Sequence, residues 1–175
     1  MRRASVLAFL VLVAVSMVAA EPAVAHDEAS ARLRSFEEVP AVVTGAAGDF
    51  EGVFNDAGTE MSYNLSYFNV RGTVTQAHLH IGQPGVNGAI VIFLCSNLGN
   101  GPEGTQACPA DPGEISGTIT AANVGSGAVN QGIGPGGLGA VVRAMRAGVV
   151  YVNVHTDIFP GGELRGQLQL TSHEE

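Results

Sequence analysis

His78 and His80 stand two residues apart in Gln76-Ala77-His78-Leu79-His80-Ile81, where apolar and polar positions alternate. In an extended strand, side chains at i and i+2 leave the same face from backbone positions about 6–7 Å apart. Two imidazoles so placed converge on one ion if a third ligand arrives from a neighbouring strand. His155, near the end of Tyr151-Val152-Asn153-Val154-His155-Thr156, is the candidate for that position, with Asp157 or Glu163 as a carboxylate supplement. Copper and zinc are the ions that suit imidazole ligands. A plainer reading needs no ion. In it, His78 and His80 hold the 82–88 turn by hydrogen bonds to its backbone, and His155 does the same for 156–162.

Glu163 and Arg165 also occupy i and i+2. They read as a structural ion pair, or as hydrogen bonds to the adjacent hairpin, with ligand binding as the alternative. Asn64-Leu65-Ser66 fits a glycosylation sequon but falls inside a strand pattern, so it reads as incidental. No catalytic residues are assigned. The chain has no Gly-x-Ser-x-Gly, no phosphate-cradling glycine loop before a helix and no His-Glu-x-x-His, and its carboxylates are scattered over turns and strand ends.

The first residues have the layout of a secretory signal over 1–25. Arg2 and Arg3 precede the apolar stretch 4–18, and small residues follow. Glu21 closes the apolar run short of the roughly 20 residues a membrane span needs. Cleavage fits after Ala20 or, preferably, after Ala25; the latter makes His26 the N-terminal residue, whose amine and imidazole would chelate copper. The mature chain, 26–175, then has the length of a single domain and no transmembrane segment. It carries six arginines, no lysine and fifteen carboxylates, a formal charge of −9. That charge argues against nucleic acid and anionic membranes as partners. Cys95 and Cys108 in a secreted chain read as a disulfide, worth about 2–3 kcal/mol in the chain-entropy model.

The elements that must position these residues are short strands between turn signals. Candidate strands run over 33–39, 49–54, 61–69, 74–81, 89–95, 114–120, 149–155 and 163–170. Asn55-Asp56-Ala57-Gly58 is a strong hairpin turn, because these residues tolerate the positive φ of tight turns. Met61, Tyr63, Leu65 and Tyr67 alternate with polar residues, as a half-buried strand does. Leu138, Val141, Val142 and Met145 mark one amphipathic helix, with Gly148 as its C-terminal cap. The preceding 125–139 stretch, with seven glycines, reads as a flexible surface loop. Aligning His80 with His155 matches His78 to Asn153, as an internal duplication or two similar hairpins would. The expectation is an all-β antiparallel sandwich or barrel of about eight strands with one short helix.

Glu38-Val39-Pro40, Ala77-His78-Leu79-His80-Ile81-Gly82 with Asn87-Gly88, and 151–156 with Pro160-Gly161-Gly162-Glu163-Leu164-Arg165-Gly166-Gln167-Leu168 closely resemble the CHRD domain. That family was first described in chordin and is common in secreted bacterial proteins. The resemblance covers about residues 30–170 and implies an extracytoplasmic β-rich domain of immunoglobulin-like character, with no molecular activity attached. His-x-His followed by glycine is also similar to the first copper-ligand strand of copper/zinc superoxide dismutases. No histidine lies between His80 and His155, however, so that family's bridging and zinc ligands have no counterpart. The sequence therefore points to a secreted or periplasmic, non-enzymatic module that binds an extracellular protein or envelope component. Copper or zinc binding through His78, His80 and His155 is the alternative, and a superoxide-dismutase-like redox enzyme the third reading.

Overall fold

The computed structural model describes residues 27–172, so the expected signal segment and His26 lie outside the described residues. The strands are β1 (Asp27–Arg34), β2 (Ala47–Phe54), β3 (Glu60–Phe68), β4 (Val74–Ile81), β5 (Ala89–Ser96), β6 (Gly113–Thr120), β7 (Val150–Thr156), β8 (Leu164–Gln167) and β9 (Gln169–Ser172). One helix, α1 (Leu138–Arg146), precedes β7. All the strands join one antiparallel sheet in the order β5-β4-β7-β8-β1-β2-β3-β6, with β9 paired to β1. This continuous path is a nearly closed barrel, the barrel side of the sequence expectation.

The local reasons are those of alternation. In β3 the four alternating apolar side chains are buried and the intervening ones are not. The turn after β2 closes with Gly58 N–H donating to Asn55 O at 2.8 Å, setting Phe54 opposite Met61. The four apolar residues of α1 are buried in the same core as the barrel interior. The helix ends at Gly148, whose N–H reaches Met145 O while Val149 N–H reaches Ala144 O, satisfying two otherwise orphaned carbonyls.

Three expectations need correction. The first strand runs over Asp27–Arg34 rather than 33–39, because a 3-10 turn at Ser35–Glu37 turns the chain before Pro40. The strand expected over 163–170 is two. The chain leaves β7 at Leu168, whose N–H still donates to Val150 O, and then pairs with β1. The glycine-rich 125–139 stretch is not a loose surface loop. Ala128 and Ile133 are buried in the core, and the Gln131 side chain accepts from Ala89 N–H and donates to Ile81 O.

The ends of the path, β5 and β6, face each other across the barrel's seam. Tyr63 Oη donates to Leu94 O at 3.2 Å. The Gln106 amide donates to Ser116 O of β6 at 3.1 Å, to Leu94 O of β5 at 3.4 Å and to Tyr63 Oη at 2.8 Å, so one side chain links both edges. The Cys95–Cys108 disulfide ties the loop that carries Gln106 to β5. Such bonds contribute about 0.5–1.5 kcal/mol each after exchange with water. Gln106→Ala should therefore lower stability in denaturant titrations by about 1 kcal/mol or more, and an unchanged midpoint would show that the seam closes without it.

Candidate metal centre

β4, β7 and β8 are covered on both sides, and their two faces differ in chemistry. Inward, Ala77, Leu79, Ile81, Val150, Val152, Val154 and Leu164 form the barrel core. Outward, the register sets Gln76 opposite His155, His78 opposite Asn153 and His80 opposite Tyr151, and then Asn153 opposite Arg165 across β8. Directly opposed residues share a face, so the outer surface of these strands is a polar layer. It is buried: His78, His80, Asn153, His155, Glu163 and Arg165 are each at most 7 % exposed.

The structure brings the three histidines together. His155 lies diagonal to His78, with ring centroids 5.0 Å apart, and His78 lies 5.4 Å from His80. One ligand atom from each falls within 4.8 Å of the others. The His78 Nδ1 to His155 Nε2 distance, 3.3 Å, matches the roughly 3.3–3.4 Å between ligands of a tetrahedral ion at bond lengths of about 2.0–2.1 Å. A pair at the 4.8 Å limit must close to roughly the same 3.3–3.4 Å to share a tetrahedral ion.

Hydrogen bonds define the tautomers. His80 Nδ1 lies 3.0 Å from Gly88 O and His155 Nδ1 lies 3.0 Å from Pro160 O. A carbonyl only accepts, so both rings carry their proton on Nδ1 and present a bare Nε2. His155 Nε2 therefore accepts from His78 Nδ1–H, which leaves Nε2 of His78 as a lone pair too. Nε2 of His78 and of His80 are buried without hydrogen-bond partners. Burial is the main reason that all three stay neutral. It holds His78 down to about 2, helped by the neighbouring His155 and His80, and His80 to about 4 despite the Gly88 carbonyl. His155 is also lowered by burial, with partial compensation from the Pro160 carbonyl. The bracing role expected of His80 and His155 is thus present, whereas His78 bonds to His155 and not to the 82–88 turn.

The remaining polar groups hold this arrangement. Tyr151 stacks on His80 at 4.7 Å and carries the Arg165 guanidinium 3.5 Å from its ring centre. Arg165 donates to Asn87 Oδ1 and to the carbonyls of Gln83 and Val86, closing the 82–88 turn over the face. Gly88 sits so close to the Ile81 carbonyl that no Cβ fits there. Glu163 and Arg165 form no ion pair with each other; of the two structural readings, the hydrogen bonds to the adjacent hairpin are the ones Arg165 makes. Glu163 accepts from Arg71 N–H through both oxygens, at 3.0 and 2.9 Å, and from Thr156 Oγ1. Asp157 accepts from Thr73 N–H, so neither carboxylate supplements the histidines.

Sequence reasoning missed Glu38, Tyr151 and Asn153 as site residues. Tyr151 and Asn153 share the period-2 alternation that ends at His155, a signal that was available. Asn153 donates to Glu38 Oε1 and, at 2.8 Å, to Leu164 O. Burial pushes the Glu38 carboxyl up to about 7, against the lowering effect of Asn153 and the Arg165 charge.

These features define a class, a disulfide-bonded antiparallel β-barrel with a buried polar layer outside three strands. The model of the CHRD domain matches residues 29–168, and the chain belongs to that family. No curated protein matches the chain significantly.

Because the folded carboxyl of Glu38 titrates above its ordinary 4.5, its contribution to stability is complete below about 4.5 and is lost as the pH rises through about 7. Glu38→Gln keeps an acceptor for Asn153 and cannot ionise. Its melting temperature relative to wild type should therefore rise between pH 5.5 and pH 8.5; a difference independent of pH would contradict a neutral Glu38.

Proposed function

We propose that this CHRD-domain protein works outside the cytoplasm as a binding module whose three-histidine cluster holds a copper or zinc ion. One observation carries the reading: the Nδ1–H groups of His80 and His155 are anchored on backbone carbonyls, which leaves Nε2 of each unprotonated, and one ring nitrogen from each of the three histidines lies within 4.8 Å of the others. Metal-ligating histidines are oriented in this way, with the far ring nitrogen donating to a fixed acceptor. The ligands are already neutral, so an ion displaces few protons on binding.

The Cys95–Cys108 disulfide supports an oxidising compartment. No helix among the described residues is long and apolar enough to cross a membrane. Among the described residues, no carboxylate or cysteine joins the three histidines. The wider reading, an interaction module for an extracellular protein or envelope component, has its own support. Val39, Pro40, Val42, Ile158 and Phe159 line an apolar groove beside the site, and Phe36, Val43 and Ile158 are exposed.

Metal content and calorimetric titration of the mature protein test the metal reading. Wild type should bind one equivalent of copper or zinc, and His80→Ala and His155→Ala should each weaken binding by at least about 10-fold, the lower end of ligand-shell effects. Both variants should keep the β-rich circular dichroism of wild type. A folded wild-type protein that binds neither metal at micromolar concentration contradicts the proposal.

A further inference from the structure

Charge bears on which ion the cluster holds. Its three ligand atoms are ring nitrogens of histidines, which are neutral imidazoles whenever they bind an ion. The nearby carboxylates are committed elsewhere: Glu163 to Arg71 and Thr156, Asp157 to Thr73, and Glu38 to Asn153. Both cysteines are in the disulfide. The charge beside His80 is that of the Arg165 guanidinium, which lies 3.5 Å from the centre of the Tyr151 ring that stacks on His80. Nothing in the ligand set neutralises an incoming cation.

The surroundings are dry. Phe93 meets His78 edge-on at 4.4 Å, and Tyr151 lies flat on His80. The solvation cost of burying an ion grows with the square of its charge, so a divalent ion costs about four times a monovalent one of similar size. Coordination number points the same way. Zinc completes a tetrahedron with a fourth ligand, which here must be water or an anion drawn in beneath the rings. Monovalent copper, a closed-shell d10 ion, is satisfied by three ligands. Imidazole suits copper and zinc alike, so the donor type does not separate them, whereas charge and coordination number do.

We propose that the cluster of His78, His80 and His155 is a site for monovalent copper, held by three neutral imidazoles with no anionic ligand. This rests on the metal-binding reading given above and deepens it. The ion takes the Nε2 lone pair of His155 that accepts from His78 in the metal-free protein. Binding thus replaces the 3.3 Å bond between the two rings, and His78 must release its Nδ1 proton to Nε2 or rotate.

The test is a pair of competition titrations on the mature protein. Cu(I) is buffered by bathocuproine disulfonate without oxygen, and Zn(II) by 4-(2-pyridylazo)resorcinol. The expected result is one equivalent of Cu(I) bound at least 100-fold more tightly than Zn(II) at pH 7, with three nitrogen neighbours in X-ray absorption. Gln76→Glu supplies the missing charge from a half-buried position opposite His155, and should cut the Cu(I) to Zn(II) ratio at least tenfold. Zinc binding as tight as Cu(I), or a fourth light ligand on Cu(I), overturns this proposal and leaves the metal reading intact. If neither ion binds to folded wild type, both fall. A ratio unmoved by Gln76→Glu overturns the charge argument and with it the proposal.

Discussion

Water is kept from the outer face of β4, β7 and β8, and the chemistry of the site follows from that exclusion. A barrel strand of this size needs only one apolar face. Here the second face is polar and is covered by the 82–88 and 157–163 segments. A buried polar group costs about 1–3 kcal/mol if left unpaired, so the groups on this face take specific partners, Nε2 of His78 and of His80 excepted. The partners they find are the covering segments: Arg165 takes the carbonyls of Gln83 and Val86, His80 takes Gly88 and His155 takes Pro160. The same bonds that hold the covers down choose the tautomers of the rings beneath them.

Structural bracing and ligand presentation are therefore one arrangement seen from two ring nitrogens. Nδ1 of His80 and of His155 serves the fold, and Nε2 of each remains for chemistry. Low permittivity keeps the rings neutral, and neutrality makes them donors to a cation. Packing of Phe93 and Tyr151 against the rings limits how far they can move to meet it. The bond between His78 and His155 gives the metal-free state a partner of its own, so the cluster is a stable layer of the fold with or without an ion.

Much of this was legible in the residues. Alternation in 74–81 puts His78 and His80 on one face, and the Asn55–Gly58 turn, the apolar stripe of α1 and the cysteine pair each carry local signals that the structure reproduces. What was hidden depends on contacts between distant segments. Closure of the barrel rests on Gln106 and Tyr63 meeting across the seam, and no periodicity encodes that meeting. Ala128 and Ile133 are masked by the glycines around them. Glu38 looks like any other carboxylate of an acidic chain until Asn153 and the 160–162 segment bury it. Of the two structural readings of Glu163 and Arg165, the ion pair is absent because Glu163 is taken by Arg71 N–H, while the hydrogen bonds to the adjacent hairpin are made by Arg165.

The central claim is that burial and two backbone carbonyls hold His80 and His155 as neutral rings with Nε2 bare. Nitrogen-15 correlation spectra of the histidine side chains, recorded on metal-free protein at pH 5.5 and pH 7.5 and again with one equivalent of Cu(I), test it most directly. At pH 5.5 the account predicts the Nδ1-protonated neutral tautomer for His80, at pH 7.5 it predicts the same tautomer for His155, and on loading it predicts a shift confined to Nε2 while the Nδ1 protons stay in place. Imidazolium or Nε2-protonated signals from either ring at its stated pH in the metal-free protein would contradict it.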